Sequence, residues 1–512
     1  MGATAGWPFW LAPLLLPQEL DASDRYAIEQ CGILGIDLME RAGAALADAA
    51  RAELPAGPIA VLCGAGNNGG DGFIAARLLR DAGREVRVLA SRAPHEYEGD
   101  AAIALSRLGD QQAIERPEQV GAVLGGATGV IDALLGTGTV GVPRGIVAAL
   151  ISAVRASNLP VVACDLPSGI DAASGTVAGE VIAARCTVTF HRPSPGHLVQ
   201  PAKTHVGRLI VADIGIPPGA PMTPRCGAIR SAVTRALPQR GAASHKYNAG
   251  AVTVVAGAPA YPGAAMLAVR GAQRAGAGYV TAVVSDPAVV LVRGASPEAI
   301  VRAWSRDIGD AAFAELLERR TDAVVLGPGL IGTDPGEQRL IDATLAAERP
   351  TVLDAGALAL YSGRAEELRR GAPLILTPHA GELGRLLGIG AAAVGAQRLA
   401  SAHTAAQRTG AVVVLKGDDT IIAAPDGRVA INELAASALA TAGTGDVLAG
   451  AIGALLAGGA DPFLAAAGGV YLHAHAGRIA AAALGTSDGV VAWDVAERLP
   501  AARGRTPAGR ST

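Results

Sequence analysis

A chain of 512 residues is long enough for two substantial domains. Half of it is hydrophobic but only 3% is aromatic, so its interior must be built from Ala, Val, Leu and Ile, the filling of parallel α/β sheets rather than of aromatic-rich β-sandwiches. The 43 basic and 46 acidic residues are interspersed and leave a net charge of -3, which excludes a single-sign field for nucleic acid or an anionic membrane.

In chain order, the apolar stretch Trp7 to Leu16 is too short for a membrane span and has no basic residue before it, so it is expected to be a docked or disordered arm rather than a signal peptide. From about Pro58 to Pro217, β-type runs (IAVLCGAG, EVRVLAS, GVIDALLGTG, VVACDLPSG, TVTFHRP, RLIVADIGIP) alternate with Ala-rich helical stretches. That rhythm predicts right-handed βαβ units on a parallel sheet. The segment PPGAPMTPRC, with four prolines and no periodicity, reads as a linker and places a domain boundary near residue 222. The rhythm then restarts with AVTVVAGA, GYVTAVVSD, AVVLGPGL, TVLDAG, PLILTPH, AVVVLKG and TIIAAPDGRV and ends in Ala-rich helices. The reading is two tandem α/β domains, 1-222 and 223-512, with a frayed tail from about Gly504. Five cysteines without a CxxC pair argue against a disulfide framework and a zinc site and fit a reducing cytoplasm.

Residues 61 to 73, VLCGAGNNGGDGF, run from a buried strand through five glycines to a helix expected to start near Phe73. Backbone N–H groups of such a loop can approach a phosphate, with the helix dipole adding partial positive charge. Taken alone the loop is equally a tight turn, and its spacing is not the GxGxxG fingerprint. Two further strand ends, IDALLGTGTVG (131 to 141) and CDLPSGID (164 to 171), carry similar polar, Gly-rich clusters. All three would converge outside the carboxyl ends of a doubly wound sheet, where ligands bind. Asp132 and Asp165 are caps or turn residues taken singly. With Asn68 and Ser168 they supply hard oxygens suited to a cation, and Asp165 is alternatively a general acid or base.

GNNGGDG, DALLGTG and DLPSGID, with LMERAG upstream, resemble the NAD(P)H-hydrate epimerase domain over residues 20 to 217. The resemblance implies a Rossmann-like three-layer α/β/α fold. It implies that Asn67, Asn68, Gly69, Gly70 and Asp71, together with Gly136, Thr137, Gly138, Thr139, Val140, Gly141 and Val142, bind the hydrated dinucleotide. Asn68, Asp132 and Ser168 would hold K+, and Asp165 would contact the substrate near the reacting carbon.

In the second half, TAGTGDVLAG (441 to 450) turns directly into an apolar helix, forming an anion hole with Asp446 placed to handle a substrate proton. The plain alternative is an N-cap aspartate. Lys416, one of only three lysines, ends a buried strand in VVVLKGDDT and could pair with a nucleotide phosphate. His379 follows a proline in LTPHAGEL and is expected on a loop, as a substrate contact or a structural side chain. His473 and His475, two apart on a helix, are read as structural.

This half resembles the ribokinase-like superfamily. More narrowly, through SHKYNAG, YPGAA, RAGAGYV, GPGL, TPHAGE, LKGDDT and AGTGD in that order, it is similar to the ADP-dependent NAD(P)H-hydrate dehydratase domain over about 228 to 500. The resemblance implies that Ala264, Gly329, His379 and Asp446 contact the hydrate. Lys416, Gly417, Asp418, Asp419, Thr420 and Gly445 would bind ADP, with Mg2+ as its companion. The expected activity is repair of hydrated NADH and NADPH, an isomerase fused to a lyase, acting on small molecules and assembled as a homo-oligomer. Two alternatives stand beside it: a ribokinase-like small-molecule kinase, and an N-terminal half that is a non-catalytic dinucleotide- or protein-binding module.

Overall fold

The computed structural model describes residues 7–504 apart from 110–113, 116, 242–244, 247–248, 305–316, 318–320, 333 and 435. Ser244, Tyr247 and Asn248 of the SHKYNAG motif lie outside the described residues. The chain divides into two compact units, Pro13–Cys226 and Gly227–Thr512, the second also including Pro8–Ala12. Both are α/β, in agreement with the sequence reading.

The first unit is a seven-stranded parallel sheet of β2 (Ile59–Cys63), β3 (Val86–Ala90), β4 (Ile114–Glu115), β5 (Gly129–Ala133), β6 (Val161–Cys164), β7 (Cys186–Phe190) and β8 (Arg208–Ala212). Its order is β4-β3-β2-β5-β6-β7-β8. Strands β2, β5 and β6 are wholly buried, because alternate residues serve opposite faces. Ile59, Val61 and Cys63 pack under the helices Gly35–Glu53, Asn67–Asp81 and Gly99–Leu108, while Ala60 and Leu62 join the core under Gly145–Ser157. The order reverses between β2 and β5, and connections leaving those two strands go to opposite sides, which opens a crevice at their carboxyl ends.

The second unit carries an eleven-stranded sheet. Strands β10 (Ala251–Val255), β11 (Tyr279–Ser285), β12 (Ile300–Trp304), β13 (Ala323–Leu326), β14 (Thr351–Leu353), β15 (Leu374–Leu376) and β16 (Val412–Leu415) are parallel, in the order β12-β11-β10-β13-β14-β15-β16. This repeats the strand order of the first unit. The run TIIAAPDGRV departs from the expected single strand: it is a hairpin in which β17 (Ile421–Ala423) pairs antiparallel with β16 and β18 (Val429–Ile431) antiparallel with β17. The cause is local, since Pro425, Asp426 and Gly427 (φ 90°) make the tight reversal. β9 (Cys226–Ile229) and the N-terminal strand β1 (Leu11–Leu14) complete the edge, so the apolar arm is docked, with Trp10 and Leu14 buried.

Helices Pro262–Ala275 and Thr444–Ala457 touch backbone to backbone: a Cβ on Gly450 would stand 2.0 Å from the Ala268 carbonyl oxygen, and one on Gly271 2.3 Å from that of Val447. Gly450→Ala should therefore destabilise the protein by about 1–3 kcal/mol through overpacking, although alanine is the better helix former by about 1 kcal/mol. Denaturant unfolding would refute this close fit if the variant proved more stable than the parent.

Candidate active sites

In the first unit the carboxyl ends of β2, β5 and β6 open into a cavity of about 1090 Å3. A Cβ on Gly64, just after β2, would stand 1.8 Å from the Leu134 carbonyl oxygen, so only glycine lets the β2 and β5 loops pass. The helix begins at Asn67 rather than near Phe73, which moves the expected open loop into the first helical turn. Asn67, Asn68 and Asp71 line the cavity, whereas Gly69 and Gly70 are buried, packed against Gly64 and Met39. Their small size lets the helix start approach the sheet. Gly136, Thr137, Gly138 and Thr139 line the wall, while Val140, Gly141 and Val142 run on outside it, with Val140 81% exposed.

Asp165 follows β6 in left-handed backbone (φ 59°), a setting that costs a non-glycine residue energy and points to a constrained role. Its N–H donates to the Val188 carbonyl (2.7 Å), and Nε2 of the buried His197 lies 2.8 Å from its own carbonyl oxygen. The side chain is held at both oxygens, accepting from the Thr137 N–H (2.8 Å) and the Thr189 hydroxyl (3.0 Å), at the cavity wall. Asp71 is 8% exposed, with the Cys164 thiol at 3.8 Å as its weak partner. Burial first, then the charges of Asp165 and Asp24, pushes its carboxyl well above the usual range. Two carboxyls at one cavity thus differ in setting, one hydrogen-bonded by neutral donors and the other raised chiefly by its burial.

Asp132 and Ser168 are fully buried behind this wall. Asp132 accepts from the Ser168 hydroxyl (2.7 Å), the Ser168 N–H (2.9 Å) and the Leu134 N–H (3.2 Å). Burial nevertheless pushes it up to about 6, those hydrogen bonds opposing. No basic side chain pairs with it among the described residues, and the Asn68 amide nitrogen is buried without a partner.

In the second unit, consecutive strand ends present one functional group after another. β13 runs into Gly329 (φ 68°), whose backbone approaches so closely that a Cβ would lie 2.8 Å from that of Ala264. Asp354 follows β14, His379 and Glu382 follow β15, and Lys416 follows β16. The Lys416 ammonium bridges these ends, 3.0 Å from Asp354 Oδ1 and 3.6 Å from Glu382 Oε2. Burial pulls its pKa down, but Asp354 and Glu382 outweigh it and hold the ammonium above the usual lysine value. A Cβ on Gly445 would come within 3.6 Å of the same nitrogen, so the lysine faces the start of helix Thr444–Ala457.

Asp446 does not cap that helix. The N-cap is Gly443 (φ 89°), without a side-chain hydrogen bond, and Asp446 sits in the first turn. Burial, then Asp354 and Glu382 against the opposing Lys416, raises its carboxyl to about 7. Such a group is poised to exchange a proton near neutrality.

His379 Nδ1 accepts from the N–H groups of Gly381 (3.0 Å) and Glu382 (3.3 Å), and Glu382 reciprocates on the His379 N–H (2.8 Å), a capping box for helix Ala380–Leu387. Its structural and ligand readings are thus compatible, because the capped ring is fixed and half-exposed, although its Nε2 already lies 3.5 Å from Glu382 Oε1. Asp419 is fully buried and paired with Arg398 (Nε to Oδ2, 2.9 Å), so its carboxylate braces the loop, while Asp418 is exposed. Thr420 closes the turn, its hydroxyl donating to the Gly417 carbonyl (2.6 Å). His473 is buried and pushed down to about 4 by burial, a neutral side chain behind Thr444.

Reading the sequence missed Asp354, Glu382 and Arg398 as members of this cluster and His197 as the support of Asp165. Asp354 and Glu382 were visible as acids directly after predicted strands in LDAG and TPHAGE. Arg398, in the middle of a helix, carried no local signal.

Residues 252–501 match the family model described as NAD(P)H-hydrate dehydratase, and residues 35–196 that of the YjeF-related protein N-terminus. The chain is 37% identical over 473 residues to the bifunctional NAD(P)H-hydrate repair enzyme of Salinibacter ruber, covering 86% of each chain. It is 38% identical over 513 residues to that of Moorella thermoacetica, covering 95% of this chain and 96% of the relative. Among solved structures, an ADP/ATP-dependent NAD(P)H-hydrate dehydratase from Bacillus subtilis, co-crystallized with ATP/Mg2+, shares 35% identity over 52% of this chain and 94% of its own, with a TM-score of 0.48. No helix of the described residues is long and apolar enough to cross a membrane. By its identity to these relatives over nearly its whole length, the chain belongs to the family of bifunctional NAD(P)H-hydrate repair enzymes.

Proposed function

We propose that the first unit interconverts the R and S epimers of hydrated NADH and NADPH, and that the second dehydrates the S epimer at the expense of ADP. The observation that carries this reading is Asp446: a carboxyl free of capping duty, raised to about 7, at a helix start faced by the Lys416 ammonium.

Adding water to the enamine of the reduced ring places a hydroxyl on the carbon beside the ring nitrogen. Hydroxide leaves poorly, so the oxygen is first phosphorylated. Asp446 takes the hydroxyl proton as the oxygen bonds to the terminal phosphorus of ADP and AMP departs. Phosphate then leaves with the C–O electron pair, the ring nitrogen donates into the vacated carbon, and loss of a proton from the next carbon restores NADH. The helix-start N–H groups, Gly445 among them, receive the phosphate oxygens, and Lys416 with Gly417–Thr420 holds the nucleotide. Ala264 and Gly329 shape the floor for the hydrate and His379 contacts it. Mg2+ would enter with ADP, screening the charge of its phosphate oxygens.

In the first unit the same carbon inverts by reversible opening of its bond to nitrogen. Asp165 takes the hydroxyl proton as the carbonyl forms, the C–N electron pair returns to nitrogen, and Asp71, whose pKa burial raises, supplies the proton that nitrogen takes up; rotation and closure on the other face complete the exchange. Asn67 to Asp71 and Gly136 to Val142 bind the dinucleotide. Asn68, Asp132 and Ser168 fit K+, since they join neutral oxygens to one buried carboxyl that lacks a cationic partner. A bound K+ would supply the positive charge that this buried carboxyl lacks. The protein acts as a homo-oligomer in the cytoplasm.

The test is to supply chemically hydrated NADH as an epimer mixture, with ADP and Mg2+, in K+ or in tetramethylammonium buffer. Reduced-ring absorbance should recover from the whole mixture in K+ and stall once the S epimer is consumed without it. Stable phosphoryl transfer to an alcohol from ATP, with no recovery of absorbance, would instead support the small-molecule kinase. Lys416→Met should move the acid limb of dehydration to higher pH, because the cation that lowers Asp446 is lost, and should raise KM for ADP by about tenfold or more. An unmoved limb would remove Lys416 from the site.

A further inference from the structure

The proposed catalytic groups lie at the amino end of helix Thr444–Ala457, whose 14 residues span roughly 20 Å. At its other end is a second cavity, of about 600 Å3, lined by Arg235, Arg240, Arg274 and Arg503 together with Pro238 and Leu455, and by no carboxylate. That volume is ample for a small ligand. Arg274 is matched by Glu497 (3.2 Å), yet its Nε is buried without a partner.

The other three guanidiniums meet no carboxylate among the described residues. Arg240 donates to the carbonyls of Gly276 (2.8 Å) and Ala277 (3.2 Å), and Arg503 to those of Ala275 (2.6 Å) and Pro238. Arg235 stacks over the Phe9 ring at 5.8 Å. Burial and the neighbouring Arg240 charge both push the Arg503 guanidinium down from its usual value, as expected where like charges gather.

The plain reading is capping, because helices Pro262–Ala275, Thr444–Ala457 and Ala492–Arg503 all end here. Charge decides against capping alone. Three helix carboxyl ends amount to about one and a half negative charges, which leaves about one and a half of the three positive charges on the unpaired guanidiniums uncompensated. A phosphate group carries about that charge at neutral pH and offers several strong acceptors in return. We propose that this rear cavity is a binding site for a phosphate-bearing small molecule, separate from the nucleotide site.

Inorganic pyrophosphate titrated calorimetrically into the full chain, presaturated with ADP in magnesium-free buffer, tests it. Arg235 and Arg240 are exposed, so a chain carrying Arg235→Gln and Arg240→Gln should keep its fold, checked by an unchanged melting temperature. The expected result is a pyrophosphate site beyond the ADP site that weakens at least tenfold in this variant and in Arg240→Gln alone weakens measurably. Heat that survives in the variant belongs to other anion sites. No binding beyond ADP, or identical binding by parent and variant, would overturn the proposal.

Discussion

Replacing Asp446 with asparagine lowers dehydration by about 10²–10⁴-fold, the typical worth of a positioned acid or base, and leaves epimerisation at the parental rate. The amide keeps the size and polarity of the side chain but cannot take a proton from the substrate hydroxyl. In the parent, dehydration should need the ionised carboxylate, so kcat/KM falls on the acid side of about pH 7. Stability supplies the control. A carboxyl raised on folding costs stability as pH climbs from its unfolded value near 4 through about 7, because the unfolded chain ionises first. Asparagine removes that cost, so the variant should melt no lower than the parent at neutral pH. A variant that lost activity and also melted early would indicate a structural role. Loss of both activities would contradict two separate sites.

Asp165→Asn gives the reverse pattern. Epimerisation falls by about 10²–10⁴-fold, while the S epimer is dehydrated at the parental rate, so repair of an epimer mixture halts with the R form left over. The constraint on Asp165 makes the effect large. Its backbone is left-handed, and its two carboxylate oxygens are occupied by the Thr137 N–H and the Thr189 hydroxyl. An amide would turn an N–H toward one of those donors and rotate the group out of line. Following the two epimers separately by chromatography measures this directly. Normal interconversion by the variant would remove Asp165 from the chemistry.

Much of the two candidate sites is legible along the chain because parallel α/β sheets put pocket-lining groups immediately after strands, where a buried apolar run gives way to polar residues and glycine. Asp165, Lys416 and the turn before Asp446 each lie at such a transition. Local signals faded where the answer depended on neighbours. The start of helix Asn67–Asp81 was placed six residues late, since NNGGDG has poor helix propensity; packing of Gly69 against Gly64 and of Gly70 against Met39 makes up for it. The two short strands β17 and β18 form one apolar run in the sequence, and only the turn of Pro425, Asp426 and Gly427 separates them.

The order of residue types therefore determined the α/β class, the tandem halves and the strand ends that form the candidate sites, because hydrophobic periodicity, glycine and proline act over a few residues. Only the tertiary structure decided the state of each group. Asp71 is raised by burial and then by Asp165, Asp446 by burial and then by Asp354 and Glu382, and Asp419 is committed to Arg398, and each of these follows from burial and from charges brought together by distant parts of the chain. Electrostatic energy depends on distance and on exclusion of water, and the fold sets both.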